Sequence, residues 1–142
     1  MLKHIPAILS PEILKVLMEM GHGDELVLAD GNFPSASHAN ILARADGLSI
    51  PVLLEAILKF FPLDTYSNEA VTLMKVSPGD DDRPKIWKTY EEILEQSGAE
   101  NKRIKLEERF SFYEHSKNSY AVIATGEESL YANIILKKGV VR

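Results

Sequence analysis

The sequence predicts an α/β protein: a single-domain, layered α/β/α fold with a mainly parallel central sheet, spanning residues 1–142. Three observations predict it. Short apolar runs bounded by turn residues, such as ELVLA (Glu25–Ala29), have the length of strands covered on both faces. Between them lie stretches with apolar residues at helical spacing, so strand and helix patterns alternate through most of the chain. No internal repeat and no linker-like segment interrupts that alternation, and a chain of 142 residues suits one domain.

The elements follow in order. Ser10-Pro11-Glu12 reads as a helix start: a hydroxyl N-cap, a proline where no N–H is needed, then an acid. Ile13, Leu14, Leu17 and Met18 form its apolar stripe, and Gly21 is placed to end it in the left-handed conformation. After the strand Glu25–Ala29, residues 30–44 read as a long polar stretch. A second helix begins near Ser49 and Pro51, turns Leu53, Leu54, Ile57, Leu58 and Phe61 inward, and is stopped by Pro62. AVTLMKV (70–76) reads as a strand with a wet end at Lys75, and SPGDDDRP as a solvated loop in which Asp80, Asp81 and Asp82 face water. A third helix over 84–97 carries Ile86, Trp87, Tyr90, Ile93 and Leu94 inward and stops at Gly98. RIKL (103–106) alternates polar and apolar as a strand does, and EERFSFYEHSK places Phe110, Tyr113 and Lys117 at helical spacing. YAVIA (120–124) and ANIILK (132–137) are strands joined by TGEESLY.

Composition narrows the function. With 16 Lys and Arg against 21 Asp and Glu, the formal net charge is −5, and no basic cluster offers the phosphate contacts that nucleic acid requires. The absence of cysteine excludes disulfides, thiolate catalysis and cysteine-ligated zinc, and suits a reducing compartment. Pro6, Pro11 and Glu12 interrupt the N-terminal segment, which lacks the apolar core of a signal peptide. The longest apolar run, 50–63, carries Glu55 and Lys59 and is too short to span a bilayer. A cytoplasmic protein without membrane or nucleic-acid partners is expected.

The candidate chemistry starts at GHGDELVLAD. His22 stands between Gly21 and Gly23, which would let the backbone approach a ligand closely; the plainer account is a surface histidine in a turn. Asp30 closes a strand, and ligands of open α/β sheets sit beyond the carboxyl ends of strands; alternatively it caps the loop that follows. His22, Asp24 and Asp30 lack the spacing of a metal site, so no metal is expected. Asp64, in FPLDTY, reads as a helix cap, and Arg109 as one half of an exposed ion pair with Glu108 or another acid. Yet Arg109 shares a helical face with Tyr113, and on a strand Tyr131 and Asn133 would share one side. A histidine, carboxylates, an arginine, phenols and an amide together look like a carbohydrate site working without a cofactor. There is no GxGxxG, P-loop or GxSxG pattern.

MGHGDELVLADGNFP, RADG, PLDTY, RFSFYE and ATGEESLYANIILKKGV, in that order, resemble the L-fucose mutarotase and ribose pyranase family of sugar mutarotases. The likeness runs nearly end to end and is weakest between about 77 and 103. It implies a cofactor-free isomerase that interconverts anomers of a monosaccharide, and homo-oligomeric assembly, with the decameric ring of bacterial relatives as one form. It implies His22 as proton donor, Asp64 in catalysis, and Asp30, Arg109, Tyr113, Tyr131 and Asn133 in substrate binding, with Met74 lining the same pocket. Arg109 and RFSFYE match the fucose branch, whereas Ala132, in YAN, matches the ribose branch; the Arg109 cluster favours L-fucose. The alternatives are a D-ribose pyranase and a non-catalytic sugar-binding module. The reading demands that positions 22, 30, 64, 109, 131 and 133 converge on one pocket, within one chain or across subunits.

Overall fold

The computed structural model describes residues 1–80 and 83–142. The chain runs α1 (Pro11–Glu19), β1 (Glu25–Ala29), α2 (Ser35–His38), β2 (Leu42–Ala45), α3 (Ile50–Leu58), β3 (Val71–Met74), α4 (Lys85–Gln96), β4 (Ile104–Glu107), α5 (Arg109–Lys117), β5 (Ala121–Thr125) and β6 (Ile134–Lys137). The strands form one six-stranded sheet in the order β2-β5-β1-β6-β3-β4. β1 and β2 each pair parallel with β5, and β3 with β4, while β6 lies antiparallel between β1 and β3. The predicted layered α/β fold with a mainly parallel sheet is the one observed. Among the described residues no helix is long and apolar enough to cross a membrane.

Strand alternation divides the apolar residues between two faces. Leu26, Leu28, Ile123, Ile134 and Leu136 pack with α1, α3 and α4 on one side. Val27, Ala29, Val122 and Ile135 pack with Phe33 and with Phe112 of α5 on the other. Tyr90 and Phe112 are among the largest fully buried side chains, one on each face. Burying a side chain of this kind stabilises by about 1.5–3 kcal/mol, so both layers are energetically anchored.

Local differences from the sequence reading have identifiable causes. The Ser10 hydroxyl accepts from the Ile13 N–H at 3.2 Å, as the cap pattern predicts. Ile13 is buried and Leu14 and Leu17 are half-buried against the core, as expected, but buried Val16 joins the stripe and Met18 is 84% exposed. The helix also ends without Gly21: Met20 is already extended, and the positive φ of 88° falls at Gly23. Residues 30–44 are not simply polar loop, since they hold α2 and the start of β2, a short edge strand whose burial reads exposed, buried, exposed, half-buried. Asp64 caps no helix; its carboxylate accepts from the Tyr66 and Ser67 amides of a turn. Asp81 and Asp82, expected to face water, lie outside the described residues.

β6 has the consequence that matters most. Five strands run one way, so the C-terminal ends of β1, β3 and β5 share an edge of the sheet, and the N-terminus of antiparallel β6 reaches the same edge. Register pairs Leu28 with Ile134 at that edge and Glu25 with Lys137 at the opposite one.

Candidate functional site

Asp30 follows β1, Met74 ends β3, Arg109 opens α5 just after β4, and Asn133 precedes β6. Sheet direction therefore brings them to one edge, where loops beyond strand ends can build a site. With Tyr113 and Tyr131 they line a single cleft of about 210 Å³, completed by Asn32, Phe33, Ser77, Asp80 and Leu130. Six of the eight candidate residues are thus neighbours. A larger groove of about 600 Å³ lies beyond Tyr131, lined by Asp80, Arg83, Lys85 and Tyr131 among others, and takes in none of Asp30, Arg109, Tyr113 and Asn133.

Each wall has a local reason. The Asn133 side-chain oxygen accepts from the Asp30 amide at 2.7 Å, tying the end of β1 to the start of β6. The Asp30 carboxyl, itself buried, accepts from the Asn32 amide at 3.0 Å. Burial raises its pKa above the ordinary value for an aspartate; backbone amides and the Asn133 side chain pull the other way, and the charge of nearby Glu127 adds to the rise. Such a carboxyl is readier than most to take up a proton. Glu108 caps α5, its carboxylate accepting from the Phe110 and Ser111 amides, and this aims Arg109 and Tyr113, one turn apart, at the cleft. The expected ion pair of Arg109 with Glu108 is absent: among the described residues Arg109 makes no salt bridge, and its guanidinium lies 5.0 Å from the Phe110 ring centre. Tyr113 is held edge-on by Phe33, with ring centres 5.5 Å apart, and by His38 at 5.6 Å. Phe33 carries no site signal in the sequence beyond an aromatic between Asn and Pro just after a strand end.

Tyr131 and Asn133 reach the cleft by a different route from the one expected. Neither lies on a strand, and Tyr131 adopts a left-handed conformation with φ of 56°. Its hydroxyl accepts from the Ser77 amide at 3.2 Å and donates to the Asp80 carboxylate.

His22 and Asp64 lie elsewhere. His22 Nε2 is 3.0 Å from Asp64 Oδ1, and the pair sits at the opposite edge of the sheet, where Gly23 N–H donates to the Lys138 carbonyl. The length of β1 separates this edge from the cleft, roughly 16 Å at 3.3 Å per residue. Asp64 is almost fully buried, whereas the His22 side chain is 47% exposed. Burial alone would raise the Asp64 pKa, but the Ser67 hydroxyl at 2.5 Å, two backbone amides and His22 outweigh it and lower the value to about 2. Gly139 makes room for this turn, since a Cβ there would stand 2.7 Å from the Leu63 carbonyl oxygen and 2.9 Å from the Asp64 Cα. The exposed Tyr66 ring lies 5.3 Å from His22 and was missed in the sequence. Within one chain, then, a binding cleft and an oriented histidine occupy opposite ends of the sheet. Among the described residues no group of three or more His, Asp or Glu side chains is arranged to hold a metal ion.

A mixed α/β sheet with a small, polar, aromatic-walled cleft at its C-terminal edge has the form of a small-ligand site. A sequence profile narrows the class: the chain belongs to the RbsD / FucU transport protein family, which matches residues 3–141. It is 52% identical to the fucose mutarotase of Danio rerio over 146 residues, covering 99% of this chain and 94% of that one. It is also similar to the crystal structure of a Streptococcus pneumoniae fucose mutarotase in complex with L-fucose, with a TM-score of 0.96 and 59% identity, covering 99% of this chain and all of that one. The Bacillus subtilis RbsD structure complexed with D-ribose shares the fold at a TM-score of 0.71 and 24% identity, over the full length of both chains.

Proposed function

We propose that this chain is an L-fucose mutarotase, interconverting the α and β anomers without a cofactor. The observation that carries the reading is the convergence of Asp30, Met74, Arg109, Tyr113, Tyr131 and Asn133 on one cleft. Full-length similarity to proteins named fucose mutarotase, at 52% identity, supports L-fucose as the sugar. A cytoplasmic location and homo-oligomeric assembly belong to the same proposal.

Mutarotation breaks the bond between the anomeric carbon and the ring oxygen, then remakes it on the other face. Opening needs a proton delivered to the ring oxygen and another removed from the anomeric hydroxyl. Imidazole, with an ordinary pKa near ~6.5, exchanges protons in both directions at neutral pH. His22 is the donor to the ring oxygen, and Asp64 orients it. Asp64 itself makes a poor base, because its carboxylate already accepts from three donors besides His22 and its pKa is about 2. Asp30, in the cleft and with a raised pKa, is the better acceptor of the anomeric proton. Arg109 and Asn133 bind the remaining hydroxyls, and Tyr113 or Tyr131 packs on the C–H face of the sugar. The aldehyde then turns about its C1–C2 bond and recloses as the two proton transfers run in reverse.

Because His22 stands at the far sheet edge of its own chain, this mechanism requires the cleft of one copy to receive His22 from another. The same separation favours a second reading, a sugar-binding module that uses the cleft alone. Saturation-transfer NMR on equilibrated L-fucose, with D-ribose in parallel, separates them. Faster α/β exchange on fucose that disappears in His22→Ala supports the enzyme, and acceleration on ribose alone moves the protein to the pyranase branch. Tight fucose binding with exchange no faster than in buffer establishes the module.

A further inference from the structure

Apart from His4, Tyr131 is the one non-glycine residue with a positive φ among the described residues. A side chain with a Cβ holds that conformation only where its surroundings enforce it, and such residues gather at ligand sites. Two side chains of α4, on the far face of the sheet, grip the backbone there. Trp87 donates its ring N–H to the Tyr131 carbonyl at 2.8 Å, and Tyr90 donates its hydroxyl to the Ala132 carbonyl at 2.6 Å. Both aromatics are buried. The Tyr90 phenol is kept protonated by burial first, then by the charges of Glu127 and Asp30, so it serves as a donor throughout the working pH range.

Phenylalanine at position 90 would fill the same apolar space, and at position 87 it would keep part of it. The polar tips add bonds to two successive carbonyls. On either side of that grip stand two cleft residues, Tyr131 reaching Ser77 and Asp80, and Asn133 reaching the Asp30 amide. We propose that Trp87 and Tyr90 are positioning residues of the sugar cleft, fixing the left-handed turn at Tyr131 and so the spacing between its phenol and the Asn133 amide. The proposal rests on the reading of the cleft as the sugar site. Neither residue lines the cleft, so both act through the loop they hold.

The test compares Tyr90→Phe and Trp87→Phe with Leu94→Ala, which damages the same helix and core but removes no hydrogen bond to the loop. L-fucose binding by calorimetry, KM and kcat for anomer exchange, thermal midpoint, and the φ of Tyr131 in crystals of each variant are measured. Loss of one buried hydrogen bond should weaken fucose binding about tenfold and raise KM to match, with kcat changed much less. Tyr131 should leave its positive φ in the Tyr90→Phe, Trp87→Phe double variant. Leu94→Ala should lower the thermal midpoint further than Tyr90→Phe does, while leaving affinity within about twofold. Fucose affinity unchanged in both phenylalanine variants, or an equal loss in Leu94→Ala, would overturn the proposal. If the wild-type chain binds no fucose, the functional reading fails, and the crystal geometry of residue 131 still decides whether the two aromatics hold the turn.

Discussion

Replacing Asp64 with asparagine keeps the shape of the side chain and removes its charge. In the native protein one carboxylate oxygen accepts from the Tyr66 amide and from His22, and the other from the Ser67 amide and hydroxyl. An asparagine can present only one acceptor oxygen, so its NH₂ faces one of these donor pairs. The size of the loss follows from the native pKa, lowered from 3.8 to about 2. That difference corresponds to about 2.5 kcal/mol at ~1.4 kcal/mol per pH unit. Water reaches the half-exposed His22 side of the pair and screens it, which brings the expected loss to about 1–2 kcal/mol. A depressed carboxyl pKa contributes stability that is complete above the unfolded value and is lost as pH falls through the folded one. The gap between native and Asp64→Asn protein should therefore be constant above about pH 5 and close between about pH 4 and 2. Urea unfolding followed by Trp87 fluorescence, at fixed protein concentration and several pH values, measures it. A gap that stays the same down to pH 2.5, or no gap at neutral pH, would refute the reasoning.

Other perturbations have equally definite outcomes. His22→Asn should slow anomer exchange by about 10²–10⁴-fold while leaving fucose affinity within severalfold, as read by exchange NMR and calorimetry. His115 bridges Glu25 at 2.7 Å and Glu107 at 3.0 Å, and the bond to Glu25 chiefly raises its pKa. A raised histidine pKa contributes stability fully present below the ordinary value of about 6.5 and lost as pH rises through the folded one, so the urea midpoint should fall as pH rises above about 6.5, and His115→Gln should flatten that fall. A Cβ at Gly126 would stand 2.1 Å from the Asp46 carbonyl oxygen, so Gly126→Ala must displace backbone; a loss of at least about 1–3 kcal/mol is expected in thermal unfolding.

Where local chemistry decides, the sequence was a good guide. The Ser10 cap, the inward stripe of α3 and the Gly98 stop of α4 depend on neighbours within a turn or two, and all appear in the structure. β2 escaped notice because an edge strand with only Ala43 buried has neither an apolar run nor a clean alternation. At the site, resemblance rather than periodicity grouped the eight residues, and chain order could not say which end of the sheet each would occupy. That depends on strand direction: antiparallel β6 carries Asn133 to the edge where Asp30 sits and its other end to the edge of His22 and Asp64. The left-handed Tyr131 was equally hidden. The conformation is imposed by Trp87 and Tyr90, which read in sequence only as inward-facing aromatics.

The most direct test of the shared site is complementation between two inactive variants. His22→Ala removes the proton donor from one sheet edge, and Arg109→Ala removes a cleft residue from the other without breaking an ion pair among the described residues. If one copy supplies His22 to the cleft of another, co-expressed variants at equal levels should recover about a quarter of the wild-type exchange rate, the chance that a randomly assembled site receives both native residues. Activity no greater than that of the two variants assayed separately would contradict it, and would mean that His22 and the cleft never meet.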